Sequence, residues 1–343
     1  MIPTAFTKLV GIRHPIVQTG MGWVAGARLA GATSAAGGLG ILAAATMTLA
    51  ELRVAIDEVK ARTDAPFGVN LRTDQDDVAA RIQLLIDAGV RVASFATAPR
   101  EELVKQLRDA GVLTMPTVGA VRHAEKVASW GVDAVIAQGH EGGGHTGPVA
   151  TTLLLPAVTK AVDIPVLGAG GFYDGRGLVA ALAYGAAGIA MGTRFLLTKE
   201  STVPDAVKHV YLQTPVTGTV VTTAIDGVPQ RVIRTAAIER LGRLPRALVN
   251  AVRFRRLTGA SMSGLLREGR AMKAGGDRTW GQVVMAANAP MLIKATMVDG
   301  KPEVGILPTG QVTGVIDELP TVAELLDRIV RDAEATLKRL SDA

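Results

Sequence analysis

The sequence predicts an α/β protein: a (β/α)8 TIM barrel with a smaller helical subdomain on the substrate side. Three observations lead to this fold class. The chain has 343 residues, which is enough for one large domain with an attachment. Short β-rich stretches alternate with amphipathic helical stretches through the first 200 residues, and several of the helical stretches end at Gly. The β-rich stretches number eight, the strand count of a closed parallel barrel.

The eight β-rich stretches are largely apolar, as expected for strands of a sheet that is covered on both faces. They are HPIVQTG (14–20), LGILAA (39–44), FGVNL (67–71), VASFA (92–96), LTMPTV (113–118), AVIAQG (134–139), PVLGAG (165–170) and GIAMGT (188–193). Amphipathic segments such as TLAELRVAIDEVKART separate them. An open doubly wound sheet is the alternative, but its usual strand count is lower.

The alternation ends after MGTRFLLTKEST, and the following hundred residues have mostly helical patterning. A clear amphipathic helix, TVAELLDRIVRDAEATLKRL, occupies 321–340 near the end of the chain. We therefore predict a barrel domain over 1–200, a helical substrate subdomain over 201–305, and a return to the barrel with a C-terminal helix over 306–343.

Composition limits the classes of function. Hydrophobic residues make up 48% of the chain and aromatic residues 3%, which favours a packed core over an aromatic surface for stacking nucleic acid. The absence of Cys excludes disulfides, thiolate metal ligands and cysteine nucleophiles. The N-terminus lacks a signal-peptide pattern, and the longest uncharged apolar run, 177–192, is shorter than a spanning helix. We expect a cytoplasmic protein that binds neither nucleic acid nor membrane.

The net charge is +6, and much of the basic excess lies in the segment 231–273. Arg recognises phosphate groups well, so this segment favours an anionic small molecule as the substrate. The alternative is a solvated basic helical face. A non-catalytic basic module is a further alternative, and it predicts nucleic-acid affinity that falls steeply with salt.

In such barrels the active site lies at the carboxyl ends of the strands and in the loops that follow them. The first strand ends in QTGMG (18–22), where Gly20 and Gly22 let the backbone approach a ligand closely, or simply form a tight turn. The third ends near Asn70, whose amide can donate and accept at once, although a strand-ending Asn is equally a helix cap. The sixth ends near Gln138.

The seventh and eighth strands are followed by glycine-rich loops, GAGGFYDGRG (168–177) and MGTRF (191–195). Phosphate sites in barrels commonly use these two loops together, with main-chain N–H groups as donors. The first loop superficially matches G-x-G-x-x-G, but Tyr173 replaces the last Gly and the unit comes late in the chain. We therefore predict a phosphate site of the barrel type and no Rossmann motif.

The loop after the sixth strand, AQGHEGGGHTG (137–147), contains His140, Glu141 and His145. A His beyond a glycine-lined bend at this end of a barrel can act as acid or base near neutral pH. We predict this role for His145 and a supporting one for His140. A metal site is the alternative, but the spacing matches no zinc pattern, so we expect no metal.

Together, the stretches HPIVQTGMGWV, AGGLGIL, PFGVNL, GHEGGGHTG, GAGGFYDGRGLVAALAYGA and MGTRFLLT resemble the nitronate monooxygenase (2-nitropropane dioxygenase-like) family of FMN enzymes. The resemblance extends from residue 10 to about 335. The sequence most resembles an actinobacterial subgroup associated with steroid ring degradation, which implies a CoA thioester as the substrate. Two departures, His140 before the Glu of its loop and the lack of a Lys at the end of MPTVG, bear on the substrate rather than on the cofactor.

The resemblance implies a role for each matching residue. His145 would be the catalytic histidine, with His140 as its second catalytic candidate. The remaining candidates would bind FMN: Met21 and Gly22 along the isoalloxazine, Asn70 and Gln138 at the ring or ribityl chain, Gly143 and Gly144 before the histidine, Gly170, Gly171, Gly192 and Thr193 at the phosphate, and Gln311 of TGQ (309–311) at the flavin.

The expected function is an FMN-dependent oxidoreductase that oxidises nitronates or nitroalkanes with oxygen. The first alternative is an FMN-dependent dehydrogenase or reductase of a CoA-linked cyclic ketone or enone. An NAD(P)H:quinone reductase is a second, and a flavin-free barrel isomerase or lyase acting on a phosphorylated substrate is a third. A small-molecule substrate is expected in every case, and a homo-oligomer is compatible with the sequence.

Overall fold

The computed structural model describes residues 2–96, 99–241 and 280–342. The chain forms two compact units. Unit 1 comprises Met1–Gly142, Thr146–Thr202 and Ile316–Ala343, and unit 2 comprises Gly143–His145 and Val203–Val315.

Eight of the strands form a closed parallel barrel in unit 1, in the order β1-β2-β3-β4-β5-β6-β8-β9. The strands of the described chain are β1 (Ile16–Gln18), β2 (Leu39–Ala43), β3 (Phe67–Leu71), β4 (Val92–Phe95), β5 (Leu113–Val118), β6 (Val135–Gln138), β7 (Gly144–His145), β8 (Val166–Ala169), β9 (Gly188–Met191), β10 (Thr219–Thr222) and β11 (Gln230–Ile233). The barrel closes through β1 and β9, where Val17 pairs with Ala190. Each barrel strand lies within a stretch predicted from the sequence, and the predicted TIM barrel is confirmed.

Helices follow the barrel strands in the expected alternation. The helices are α1 (Ala5–Val10), α2 (Ala27–Ala35), α3 (Leu49–Arg62), α4 (Val78–Asp87), α5 (Glu101–Asp109), α6 (Val121–Ser129), α7 (Thr151–Ala161), α8 (Gly175–Ala183), α9 (Thr193–Leu196), α10 (Asp205–Leu212), α11 (Ala236–Leu241), α12 (Trp280–Met297) and α13 (Val322–Ser341). Capping boxes begin three of the described helices, α1, α3 and α13. In the two longer ones, the Thr48 hydroxyl accepts from Glu51 N in α3, and the Thr321 hydroxyl accepts from Glu324 N in α13. These local signals explain why both helices begin where they do.

The core of unit 1 has an inner and an outer layer. Side chains such as Val17, Ile41 and Met115 form the inner cluster, while Leu52 and Ile82 belong to the outer cluster, which packs α3 and α4 against the strands. No described helix is long and apolar enough to cross a membrane.

Small residues let the outer helices approach closely. A Cβ on Gly40 of β2 would lie 1.9 Å from the carbonyl oxygen of Ala30 in α2, and one on Gly175 of α8 would lie 2.4 Å from Ala333 N in α13. Both distances are far below van der Waals contact, so only Gly permits this packing. The C-terminal helix α13 is thereby part of the outer layer of unit 1.

Unit 2 is built on a three-stranded antiparallel sheet in the order β10-β11-β7. The sequence predicts that 201–305 is mostly helical, but β10 and β11 lie in the first third of this stretch. They pair from Thr219 with Ile233 to Thr222 with Gln230. The Thr- and Val-rich sequence of β10 and the Asp226-Gly227 turn account for this hairpin locally. Most of the basic segment 231–273 lies outside the described residues.

Candidate active site

The strand register of the barrel brings the predicted cofactor loops together. Gln138 at the end of β6 pairs with Ala169 at the end of β8, and Ala169 pairs in turn with Ala190 in β9. On the other side of β9, Met191 pairs with Gln18 at the end of β1. The loops after β6, β8, β9 and β1 therefore start at four neighbouring positions around the rim of the barrel.

The loop after β8 has the backbone of an anion cradle. Gly170 and Gly171 both have φ +88°, in the left-handed region that L side chains rarely adopt. A Cβ on Gly170 would also lie 2.9 Å from the backbone N of Gly142. Among the described residues, no backbone or side-chain acceptor is bonded to the N–H of Gly170 or Gly171. These two N–H groups can therefore donate to a bound phosphate.

The neighbouring loop after β9 adds Gly192 and Thr193, the first residue of α9. A Cβ on Gly192 would lie 3.3 Å from both Met21 Sδ and Thr19 Oγ1, so the glycine keeps open the gap between the loops after β9 and β1. The next residue, Arg194, is buried, and burial lowers the pKa of its guanidinium to about 10. The guanidinium remains protonated at neutral pH, and its Nη2 donates to the carbonyl oxygen of Leu197 at 2.9 Å.

Asn70 is buried at the end of β3, and its Nδ2 donates to Ser94 Oγ in β4 at 3.2 Å. This bond orients the amide and leaves its Oδ1 and second N–H available to a ligand with both donors and acceptors. Gly20 packs directly against it, because a Cβ at that position would lie 2.3 Å from Asn70 Cβ. Gly20 therefore contributes the space in which the Asn70 side chain lies, a role distinct from a turn.

Gln138, half-buried at the end of β6, is enclosed in a similar way. A Cβ on Gly142 would lie 2.8 to 2.9 Å from three atoms of the Gln138 side chain. The structure thus presents two amide side chains, Asn70 and Gln138, at strand ends of the same barrel, each fitted against a glycine.

His140 is bound within its own loop. Its Nδ1 lies 2.8 Å from the carbonyl oxygen of Gly147, so Nδ1 carries the proton and donates. Its backbone N donates to the carbonyl oxygen of Val149 at 2.7 Å. These contacts give His140 a clear part in shaping the loop, and its predicted catalytic role stays a prediction.

Glu141, the third polar residue of this loop, caps helix α7. Its Oε2 accepts from both the backbone N and the hydroxyl of Thr151 at 2.9 Å. Thr151 Oγ1 also lies 2.9 Å from the carbonyl oxygen of Gly170, so its single proton is shared between these two acceptors, and the contact ties the capped helix to the loop after β8. Glu141 therefore helps to organise the loop that carries Gly170 and Gly171.

His145 belongs to unit 2 because strand β7 pairs with β11, with His145 opposite Gln230. Its Nε2 lies 2.7 Å from Asp226 Oδ2. Asp226 is held by two further donors, Gln230 Nε2 at 2.5 Å and the backbone N of Val228 at 3.0 Å. The imidazole is 60% exposed and the carboxyl 20%. The arrangement is an accessible imidazole oriented by a fixed carboxylate.

The protonation of Asp226 follows from these contacts. Burial raises the pKa of the carboxyl, but the hydrogen bonds from His145 and from Val228 N together lower it by more. The net pKa is therefore below its ordinary value. Asp226 is therefore ionised at neutral pH. A carboxylate bound to one ring nitrogen orients an imidazole and stabilises it when it gains a proton.

The other predicted residues of unit 2 are close to one another. A Cβ on Gly143 would lie 2.5 Å from the backbone carbon of Thr309 and 2.6 Å from Gly310 N. Gln311 is the next residue and begins a short 3-10 turn, Gln311–Val315. Gly144 has φ +67°, which permits the bend before His145. The structure thus joins Gly143, His145 and the Gly310–Gln311 turn within unit 2, and joins the remaining cofactor candidates within unit 1.

Sequence reasoning missed two residues. Asp226 lies 81 positions after His145, and no spacing rule connects them. Trp23 is the sole non-glycine residue with positive φ among the described residues, at 64°. A bulky side chain in this conformation is a genuine outlier, and such strain clusters at functional sites. Its position directly after Met21 and Gly22 was the available signal.

Comparisons with known proteins identify the family of this chain. The family model for nitronate monooxygenase matches residues 3–82 and 78–332. The chain is 59% identical to a (3aS,4S,5R,7aS)-5-hydroxy-7a-methyl-1-oxo-octahydro-1H-indene-4-carboxyl-CoA dehydrogenase of Mycobacterium tuberculosis, with 98% of each chain covered. It is 60% identical to the dehydrogenase of the same name from Rhodococcus jostii, with 96% of this chain and 95% of the relative covered.

Solved structures give the same result. FabK from Thermotoga maritima superposes with a TM-score of 0.82 and 32% identity, covering 100% of this chain and 99% of that one. A nitroalkane oxidase from Streptomyces ansochromogenes gives a TM-score of 0.79 and 30% identity, covering 98% and 100%. Since the family match extends over nearly all of the sequence, the chain belongs to the nitronate monooxygenase family of flavin-dependent oxidoreductases.

Proposed function

We propose that this chain is an FMN-dependent dehydrogenase that removes two hydrogens from a CoA-linked bicyclic hydroxy acid. The observation that carries the proposal is the 59% and 60% identity to two dehydrogenases named for such a substrate, over at least 95% of each chain. This activity corresponds to the first alternative from the sequence rather than to nitronate oxidation, the leading expectation there.

The residues present fit FMN. The two adjacent loops after β8 and β9 offer main-chain N–H groups at Gly170 and Gly171, and Gly192 keeps space open beside them. Such loops suit a terminal phosphate monoester, and the oriented amides of Asn70 and Gln138 suit a ring with both donors and acceptors. When bound, the flavin supplies hydride acceptance.

The protein's own contribution to the reaction is positioning and proton transfer. In the proposed roles, the Met21–Gly22 backbone and the Asn70 amide orient the cofactor ring. His145 takes the proton that the substrate loses, and Asp226 stabilises the imidazole once it is protonated. Asp226 is ionised at neutral pH, so it can play this part throughout the physiological range.

The coenzyme A part of the proposed substrate requires cationic side chains to bind its phosphates. The sequence places eight Arg between residues 231 and 259, most of them outside the described residues. Arg231 is not one of the available partners, since it is buried and its Nη1 donates to Thr219 Oγ1 at 2.9 Å. We assign phosphate recognition to the later arginines of the segment.

Nitronate oxidation is the second candidate. It is favoured by the family match and by the similarity to a nitroalkane oxidase. The same His145–Asp226 pair would serve it as well.

The deciding experiment follows the flavin absorbance anaerobically. The hydroxy-acyl-CoA thioester named for the two relatives should bleach the flavin and yield a product two mass units lighter, whereas propionate 3-nitronate should react far more slowly. Bleaching by the nitronate alone would favour the second candidate, and bleaching by neither would refute both. Denaturing the protein and identifying the released flavin by mass tests FMN against FAD.

A further inference from the structure

A cavity of about 280 Å³ lies in unit 1 beside the predicted flavin contacts. Trp23 forms part of its wall and directly follows Met21 and Gly22 in the chain. Ala43 forms another part, and it pairs in register with Asn70. The cavity therefore adjoins the same strand ends that carry the cofactor candidates, but none of the residues discussed as cofactor contacts lines it.

Trp23 is fixed in this wall by the loop after β2. Its backbone N donates to Thr46 Oγ1 at 3.3 Å, which helps hold the residue at φ 64°. The loop is secured in turn by Arg81 of α4, which is buried and donates to the carbonyl oxygens of Ala44 at 2.8 Å and Met47 at 2.7 Å. The indole is thus attached to a clamped loop, as expected of a preorganised binding wall.

The chemistry of the lining excludes one end of a CoA thioester. Besides Trp23 and Met47, most of the lining is small or apolar, and its one ionisable group is the carboxyl of Glu51. Glu51 closes the capping box of α3, accepting from Thr48 N at 2.7 Å. An anionic wall without Lys or Arg repels phosphate groups, so the nucleotide end of CoA is disfavoured here.

The volume of the cavity favours the fused-ring end of the substrate. An apolar cavity of about 150 Å³ holds one benzene-sized ring. The cavity beside Trp23 is about twice as large, which suits two fused saturated rings.

We propose that this cavity binds the uncharged fused-ring part of the substrate and that Trp23 is its specificity-determining wall. The inference rests on the proposed function for the identity of the substrate. It assigns the ring end of the substrate to the loops after β1 and β2.

The first test measures binding without turnover. The chain has three Trp, so a W130F/W280F variant keeps Trp23 as the single fluorophore. A methyl-hydrindanedione, which has the fused rings but no CoA, should change the Trp23 emission saturably. Free coenzyme A at the same concentration should leave it unchanged. A response to coenzyme A but not to the diketone, or a response to neither, would overturn the assignment.

The second test separates the ring subsite from the cofactor site. Trp23→Ala should raise KM for the hydroxy-acyl-CoA at least tenfold with flavin content unchanged, and Trp23→Phe should recover most of the affinity. Trp23→Gly, which suits φ 64°, replaces Trp23→Ala should that variant fail to fold. Trp130→Phe is the matched control and should leave KM unchanged. An unchanged KM in both the Ala and the Gly variant would refute the role of Trp23.

The two tests also distinguish this inference from the proposed function. If the thioester fails to bleach the flavin but the diketone still binds at Trp23, the dehydrogenase proposal falls and the ring subsite stands. If the thioester bleaches the flavin but the diketone leaves Trp23 emission unchanged, the dehydrogenase proposal stands and the ring subsite is refuted.

Discussion

Replacement of Gly20 by Ala tests whether the Asn70 amide depends on the space beside it. The new Cβ would lie 2.3 Å from Asn70 Cβ, more than 1 Å inside ordinary contact. Neither atom is the end of a flexible side chain, so the backbone of β3 or of the loop after β1 must shift. Overpacking of this kind costs about 1–3 kcal/mol in the free energy of unfolding.

The expected effect has two parts. For a unit of roughly 230 residues, this cost lowers Tm by about 2–12 °C. Displacement of Asn70 would also weaken its proposed hydrogen bond to the flavin, and a loss of about 1 kcal/mol in binding free energy corresponds to about fivefold weaker flavin binding. Differential scanning fluorimetry measures the first effect, and flavin titration of the apoprotein measures the second.

Gly119→Ala is the matched control. Gly119 also follows a barrel strand, but its added Cβ would have no atom within 4 Å and its φ is not left-handed. This variant should match the wild type in both measurements. If Gly20→Ala behaved like Gly119→Ala in Tm and in flavin affinity, the steric account of Asn70 would be refuted.

Three further variants test the acid–base pair and the clamped loop. His145→Ala should keep bound flavin and lose at least 100-fold in turnover, as expected for a general acid–base residue; unchanged turnover would remove this role. Asp226→Asn should lower turnover through loss of His145 orientation. The same variant should also reduce the loss in the free energy of unfolding at acid pH. Ionised Asp226 contributes its full stabilisation above its ordinary pKa of 3.8, and this contribution is lost as pH falls through the lowered pKa of the folded state. An unaltered acid-unfolding profile would contradict that account. Arg81→Met removes the hydrogen bonds from the guanidinium to the carbonyl oxygens of Ala44 and Met47, so urea unfolding should show a free energy of unfolding lower by about 2–4 kcal/mol. A decrease under about 1 kcal/mol would show that water replaces the guanidinium.

The barrel was predictable because its determinants are local. Each barrel strand is a short, largely apolar stretch, and most of them are followed by an amphipathic helix. The glycine loops at 168–177 and 191–195 could be recognised because phosphate-binding loops recur after the last two strands of such barrels.

The rest of the site depends on contacts that no local pattern encodes. The pairing of His145 with Asp226 requires β7 and β11 to meet, and the hairpin that supplies β11 lies in a stretch whose composition resembled helix. The φ of Trp23 runs against the preference of a bulky residue, so it depends on surrounding contacts such as the hydrogen bond to Thr46 rather than on the residue itself. His140 and Glu141 look alike as polar loop residues, and only their bonds to Gly147 and Thr151 show what each one does.

The two-residue strand β7 limits how this enzyme could be rebuilt from parts. A barrel given a different insert in place of 203–315 would keep its glycine-rich loops, but His145 would lose both its strand partner and its carboxylate. Exchange of this insert between members of the family is therefore constrained by the two residues of β7. Any transplanted insert would have to bring a strand edge and an acid matched to the recipient's own histidine loop.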